Sequence, residues 1–169
     1  MPIQIAVCDD SKDDIRKLTE ALYTYNDSFQ ITEYTNGDFL IADCLEHEKL
    51  FDILFLDIYM PGINGIDTAV KIRTAMKDVI IIFVSSSNEH YPEAFEVFAF
   101  NYIIKPVNPD ILKSLLDQAL MNMNKERDYY IQFGYKSKNY RILCRSILYL
   151  ESRDKNRKIY LSVAIRALW

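Results

Sequence analysis

The stretch LFLDIYMPGING, residues 54–65, decides the fold. It opens as an apolar run, meets one carboxylate at Asp57, and passes at once into a Pro61-Gly62 turn. A short apolar run bounded by turn signals reads as a buried strand, so Asp57 stands at a strand's carboxyl end. An aspartate there has two local readings. It stabilises the turn, as Asp commonly does, or it is a chemical group delivered to a rim. The flanking chain has to choose between them.

Working outward, the same grammar repeats. Strand patterns cover residues 3–8, 29–34, 52–58, 79–84 and 102–104, the fourth being the apolar run VIIIFV. Between them helical patterns cover 12–25, 37–46, 65–76 and 91–98, and Pro109 opens a last helix through about residue 125. The first helix places Ile15, Leu18 and Leu22 at helical spacing behind Ser11 as N-cap, with Asp14 three residues on. The second is read with Phe39, Leu40 and Ile41 inward, the third with Ile66, Ala69, Val70 and Ile72. Several strands are continuous apolar runs rather than alternating ones, which fits a parallel sheet covered by helices on both faces. Right-handed crossovers then give an open, five-stranded, doubly wound α/β domain. In such sheets the functional crevice lies at the carboxyl ends of the strands.

Those ends collect an unusual set. The first strand ends in Asp9 and Asp10, the third in Asp57, the fourth in Ser85 and Ser86, and the fifth in Lys105 ahead of Pro106. Taken singly, Asp9 and Asp10 read as helix caps, Ser85 as a loop hydroxyl and Lys105 as a solvated amine. Their joint placement is poorly explained that way. Three carboxylates in one crevice repel one another unless a cation joins them. All-oxygen ligands with room for water suit Mg²⁺ better than zinc, and no His or Cys lies in these turns. A hard cation, an ammonium and a hydroxyl are what a phosphoryl group needs around its oxygens. A carboxylate ionised at neutral pH can then act as nucleophile.

CDD at 8–10, LDIYMPGINGI at 56–66, FVSSS at 83–87 and YIIKP at 102–106 together resemble the receiver domain of two-component response regulators, with its flavodoxin-like fold. The resemblance covers about residues 1–122. It implies that Asp57 accepts a phosphoryl group from a sensor histidine kinase, and that Asp9, Asp10, Asp57 and the backbone carbonyl of Tyr59 hold Mg²⁺. Ser85 would bond one phosphoryl oxygen and Lys105 another, while Tyr102 would turn inward as the switch. Such a protein assists its own phosphotransfer and dephosphorylation rather than working as an enzyme. The aromatic segment AFEVFAFNY, residues 94–102, falls on the family's output surface and offers a homodimer contact, with about half of its Phe residues in the core. A phosphatase reading is weaker, because Tyr59 stands where a DxD phosphatase would place its second aspartate.

After Arg127 the pattern changes to β-rich segments at 129–133, 140–144, 147–150 and 158–163, separated by polar turns. Charge changes with it. Residues 1–124 hold 20 acidic against 9 basic residues, a balance of −11, and residues 125–169 hold 4 against 11, a balance of +7, giving the net −4. A basic second unit faces either an acidic partner such as DNA or only solvent. The segment YRILCRSILYLESRDKNRKIYL, 140–161, resembles the start of a LytTR DNA-binding domain. The resemblance implies a DNA contact at Arg157, with Lys155 and Lys158 as phosphate partners. Less than half of such a module is present and SVAIRALW does not follow the family's continuation. The expectation is therefore a receiver over 1–122, a linker at 123–128 and an incomplete all-β segment over 129–169, naturally truncated, frame-shifted or a deliberately shortened piece. A receiver acting only through protein contacts is the alternative.

Half of the 169 residues are hydrophobic, which suits folded domains with real cores. No apolar run approaches the roughly 18 residues of a membrane helix, and the N-terminus lacks the marks of a signal peptide. Cys8, Cys44 and Cys144 show no metal-ligand spacing and read as reduced core residues of a cytoplasmic protein.

Overall fold

The computed structural model describes residues 2–127 and four strands covering 130–135, 138–143, 147–153 and 156–161, with side chains through residue 123. Five strands, β1 (Gln4–Cys8), β2 (Gln30–Tyr34), β3 (Ile53–Leu56), β4 (Ile80–Ser85) and β5 (Asn101–Ile104), form one sheet in the order β2-β1-β3-β4-β5. Every pairing is parallel. Helices α1 (Lys12–Tyr25), α2 (Gly37–Leu45), α3 (Gly65–Ala75), α4 (Tyr91–Glu96) and α5 (Pro109–Arg127) connect or follow them. This is the doubly wound α/β architecture read from the sequence.

The central strands are dry on both faces. Ile53, Leu54, Phe55 and Leu56 of β3 are all buried, as are Ile81, Ile82 and Phe83 of β4. Burying one such side chain contributes about 1.5–3 kcal/mol. Edge strand β2 is only partly covered, with Tyr34 alone fully buried.

Helix α1 buries Ile15, Leu18 and Leu22, and the Ser11 side chain accepts from the Asp14 N–H as an N-cap. Two helices correct the sequence reading. In α2 Leu40 is buried and Ile41 partly so, but Phe39 faces solvent. In α3 Ala69 and Ile72 are buried while Val70 is exposed. Successive helix residues lie about 100° apart, so a run of adjacent apolar residues cannot share one buried face. The aromatic segment buries no Phe fully, where about half were expected in the core. Ala94 and Val97 are buried, Phe100 is half-buried, and Phe95 and Phe98 are 77 % and 81 % exposed.

Arg73 of α3 fastens the end of α4. Its guanidinium donates to the carbonyls of Val97 and Phe98, and to those of Lys77 and Val79 in the chain entering β4.

Contacts divide the chain into compact units, Met1–Leu116 and Asp117–Trp169. In the second, β6 (Tyr130–Tyr135) pairs antiparallel with β7 (Lys138–Leu143), and β8 (Ile147–Arg153) with β9 (Asn156–Leu161). Arg157 and Lys158 fall on β9, where no side chain is described, and Lys155 lies outside the described residues.

Candidate functional site

Parallel register builds the site. Cys8 pairs with Leu56, and Leu56 with Phe83, so β1, β3 and β4 reach the rim together. Backbone bonds then tie the residues just beyond. The Asp57 N–H donates to the Cys8 carbonyl at 2.8 Å, the Asp9 N–H to Tyr34 at 3.0 Å, and the Lys105 N–H to Ser85 at 2.8 Å. Four residues far apart in sequence are thereby fixed around one crevice by their main chains.

A glycine sharpens the geometry. The Gly65 N–H donates to the Ile58 carbonyl, and a Cβ at Gly65 would lie 2.1 Å from the Asp57 carbonyl oxygen. Only a residue without a side chain lets α3 start this close to the acceptor strand. Gly62, at φ +81°, makes the turn between them.

Carboxylate oxygens of Asp9, Asp10 and Asp57 lie within 4.8 Å of one another. Asp9 and Asp57 are buried and Asp10 is exposed. The Lys105 ammonium stands 2.6 Å from Asp9 Oδ2, 2.9 Å from Asp14 Oδ2 and 3.6 Å from Asp57 Oδ1. Burial pushes the Asp57 carboxyl up, Lys105 pulls it back, and Asp9 pushes it up again, leaving it above the ordinary carboxylate value. Burial works against the Lys105 charge, but hydrogen bonds to Asp9 and Asp14 and the nearby Asp57 outweigh it. One ammonium leaves this acidic set with a residual negative charge. An all-oxygen set that is short of positive charge fits a hard divalent cation such as Mg²⁺.

Ser85 is wholly buried, and its Oγ has no hydrogen-bond partner among the described residues. An orphaned buried hydroxyl at a rim is costly to keep unless something arrives to use it. The Tyr102 phenol lies near enough to feel the Ser85 oxygen, yet it donates at 2.5 Å to the Ser87 carbonyl. Its half-buried ring packs 4.3 Å from Tyr91. Tyr59 is exposed and its hydroxyl reaches Glu89 at 3.2 Å, so two tyrosines hold the segment after β4.

The sequence-predicted residues Asp9, Asp10, Asp57, Ser85 and Lys105 thus come to one rim, with Tyr59 and Tyr102 beside it. Two contributors went unread. Asp14 looked like part of a helix cap, and Gly65 like an ordinary helix start. The cap is only half formed: Ser11 Oγ accepts from Asp14, but the Ser11 N–H donates to Asp9 Oδ1, not back to Asp14. Cys8 and Cys44 are buried free thiols, pushed up to about 12 and about 11 chiefly by burial, as expected of reduced core residues. Cys144 lies outside the described residues. No described helix is long and apolar enough to cross a membrane.

The sequence profile of the response regulator receiver domain matches residues 5–117. The chain is 33 % identical over 129 residues to the sensory transduction protein LytT of Oceanobacillus iheyensis, covering 75 % of this chain and 52 % of that one. It is 35 % identical over 128 residues to the transcriptional regulatory protein ResD of Bacillus subtilis, covering 75 % and 51 %. The chain therefore spans about half the length of these curated relatives. Among solved structures, the response regulatory domain of MrkE from Klebsiella pneumoniae superposes with a TM-score of 0.65 at 25 % identity, covering 73 % of this chain and 99 % of that one. The matched residues run from β1 into α5 and contain the whole acidic rim, so the chain belongs to the response regulator receiver domain family.

Proposed function

We propose that Asp57 is the phosphoacceptor and that a sensor histidine kinase is the donor. One observation carries this reading: Asp9, Asp10, Asp57 and Lys105 converge at the ends of three parallel strands, with carboxylate oxygens within 4.8 Å. An Asp57 oxygen forms a bond to phosphorus as the phosphohistidine P–N bond breaks, and the electron pair returns to the imidazole. The ion-binding set is Asp9, Asp10, Asp57 and the Tyr59 carbonyl; Mg²⁺ there supplies charge neutralisation of the phosphoryl oxygens. Ser85 offers to one oxygen a hydroxyl that has no partner among the described residues, and Lys105 offers its ammonium to another. The Tyr102 hydroxyl exchanges its Ser87 partner as Ser85 is drawn toward the phosphoryl group, which makes Tyr102 the switch. Incubation with Mg²⁺ and a small phosphodonor should add one phosphoryl mass, labile to hydroxylamine, to the wild type and none to Asp57→Asn. Equal labelling of both would refute the acceptor assignment.

The output we propose is transcriptional, in a cytoplasmic regulator with its receiver over 1–122 and a LytTR-type segment over 129–169. The relative names LytT and ResD, the antiparallel strands and the +7 charge of 125–169 support it. Arg157, with Lys155 and Lys158, is then the DNA contact, and binding should fall steeply with salt. A second reading, output through protein contacts alone, is favoured by the exposed Phe95 and Phe98, which also offer a homodimer surface across 94–102. DNA binding insensitive to salt, or untouched by Arg157→Ala with Lys155→Ala, would remove the first output reading.

A further inference from the structure

Lys105 is not aimed at Asp57 alone. An ammonium has three N–H donors. One reaches Asp9 Oδ2 at 2.6 Å and one Asp14 Oδ2 at 2.9 Å, while Asp57 Oδ1, at 3.6 Å, lies beyond hydrogen-bond range. Asp14 differs from the other acids. Among the described residues the cluster able to share an ion holds Asp9, Asp10 and Asp57, and Asp14 stands outside it. It binds the lysine without belonging to the cation set.

Asp14 is also held in place. It stands in the first turn of α1 with its N–H on Ser11 Oγ. The return bond that an acidic residue at this helix position often makes is already taken, because the Ser11 N–H donates to Asp9 Oδ1 at 2.9 Å. The Asp14 carboxylate is thereby left for Lys105, whose side chain is only 19 % exposed.

We propose that Asp14 is a positioning residue that restrains Lys105, competing with an arriving phosphoryl group for the ammonium and so weakening the phosphorylated state. The proposal rests on the reading of Asp57 as acceptor. A phosphoryl group on Asp57 needs a Lys105 donor for one of its oxygens. Lys105 meets that need by releasing or sharing Asp14, whose own negative charge stays near the new one. A neutral side chain of the same shape at position 14 leaves the donor free and removes the repulsion.

The test titrates the full chain with beryllofluoride, a phosphoryl mimic, at saturating Mg²⁺, following backbone amide NMR signals. Asp14→Asn should bind about fivefold more tightly than wild type, the scale of one partly exposed ion pair. Asp14→Glu, which restores the charge, should move back toward wild type. In a Lys105→Ala background the gain from Asp14→Asn should shrink to the part that the lost charge repulsion alone supplies. Without beryllofluoride, the Lys105 ammonium protons should exchange faster with water in Asp14→Asn. Equal or weaker binding by Asp14→Asn, or the same gain without Lys105, overturns the proposal. A separate control addresses the underlying reading. If wild type does not bind beryllofluoride, or Asp57→Asn binds it equally well, the acceptor assignment falls and this proposal falls with it.

Discussion

On β3 the chain passes from Leu56 to Asp57 without leaving the interior: the first is 0 % exposed and the second 4 %. The two neighbours share a level of burial and differ in everything else. Leu56 gains from exclusion of water, because its surface is apolar. Asp57 is penalised by it, and its proton affinity rises as a result. The strand interior is where the fold takes its stability, and the rim is where it gives some up. Ser85 repeats the pattern at the end of β4, with Phe83 buried behind it and, at the edge, a hydroxyl that has no partner among the described residues. These polar groups stand at strand ends tied to one another by backbone bonds, so they cannot reach water by moving away.

Substitutions on either side of this divide should act in opposite directions. The largest effect is expected from Leu56→Ala, which removes a fully buried side chain from the sheet interior. It should lose about 2–5 kcal/mol in a denaturant titration; a loss under ~1 kcal/mol would mean the interior is looser than its burial indicates. Gly65→Ala tests the seam between the regions, since its Cβ would meet the Asp57 carbonyl oxygen at 2.1 Å. A cost of roughly 1–3 kcal/mol is expected, typical of overpacking. Amide NMR shifts should concentrate around Asp57, and shifts spread evenly over α3 would argue against that contact. The smallest effect carries the reverse sign. Asp57→Asn should stabilise the metal-free protein by about 1 kcal/mol at neutral pH, because it removes a desolvated charge facing Asp9. Added Mg²⁺ should raise the melting temperature of wild type more than that of Asp57→Asn. A destabilised Asp57→Asn would show that the Lys105 attraction outweighs burial and repulsion.

Elements and rim were legible in the sequence to different depths. The apolar runs at 53–56 and 80–84 announced central strands because both faces needed apolar residues. Asp9, Asp57, Ser85 and Lys105 were legible because a parallel sheet brings all its carboxyl ends to one edge. Phe39 and Val70 were misread as inward because adjacent apolar residues were assigned to one face of a helix. Asp14 was read only as a cap residue, since Ser-x-x-acid is a local pattern and nothing local reports a lysine 91 positions away.

The sequence by itself determined the alternation of strand and helix, the parallel sheet and the strand ends at which chemistry would gather. Periodicity is a local property, and strand direction follows from the connections. Only the tertiary structure decided which acids hold Lys105, how closely α3 approaches Asp57, and that Ser85 Oγ is left without a hydrogen-bond partner among the described residues. Those are distances through space between segments far apart in the chain, set by how α1 and α3 pack on the sheet and by where β5 pairs within it.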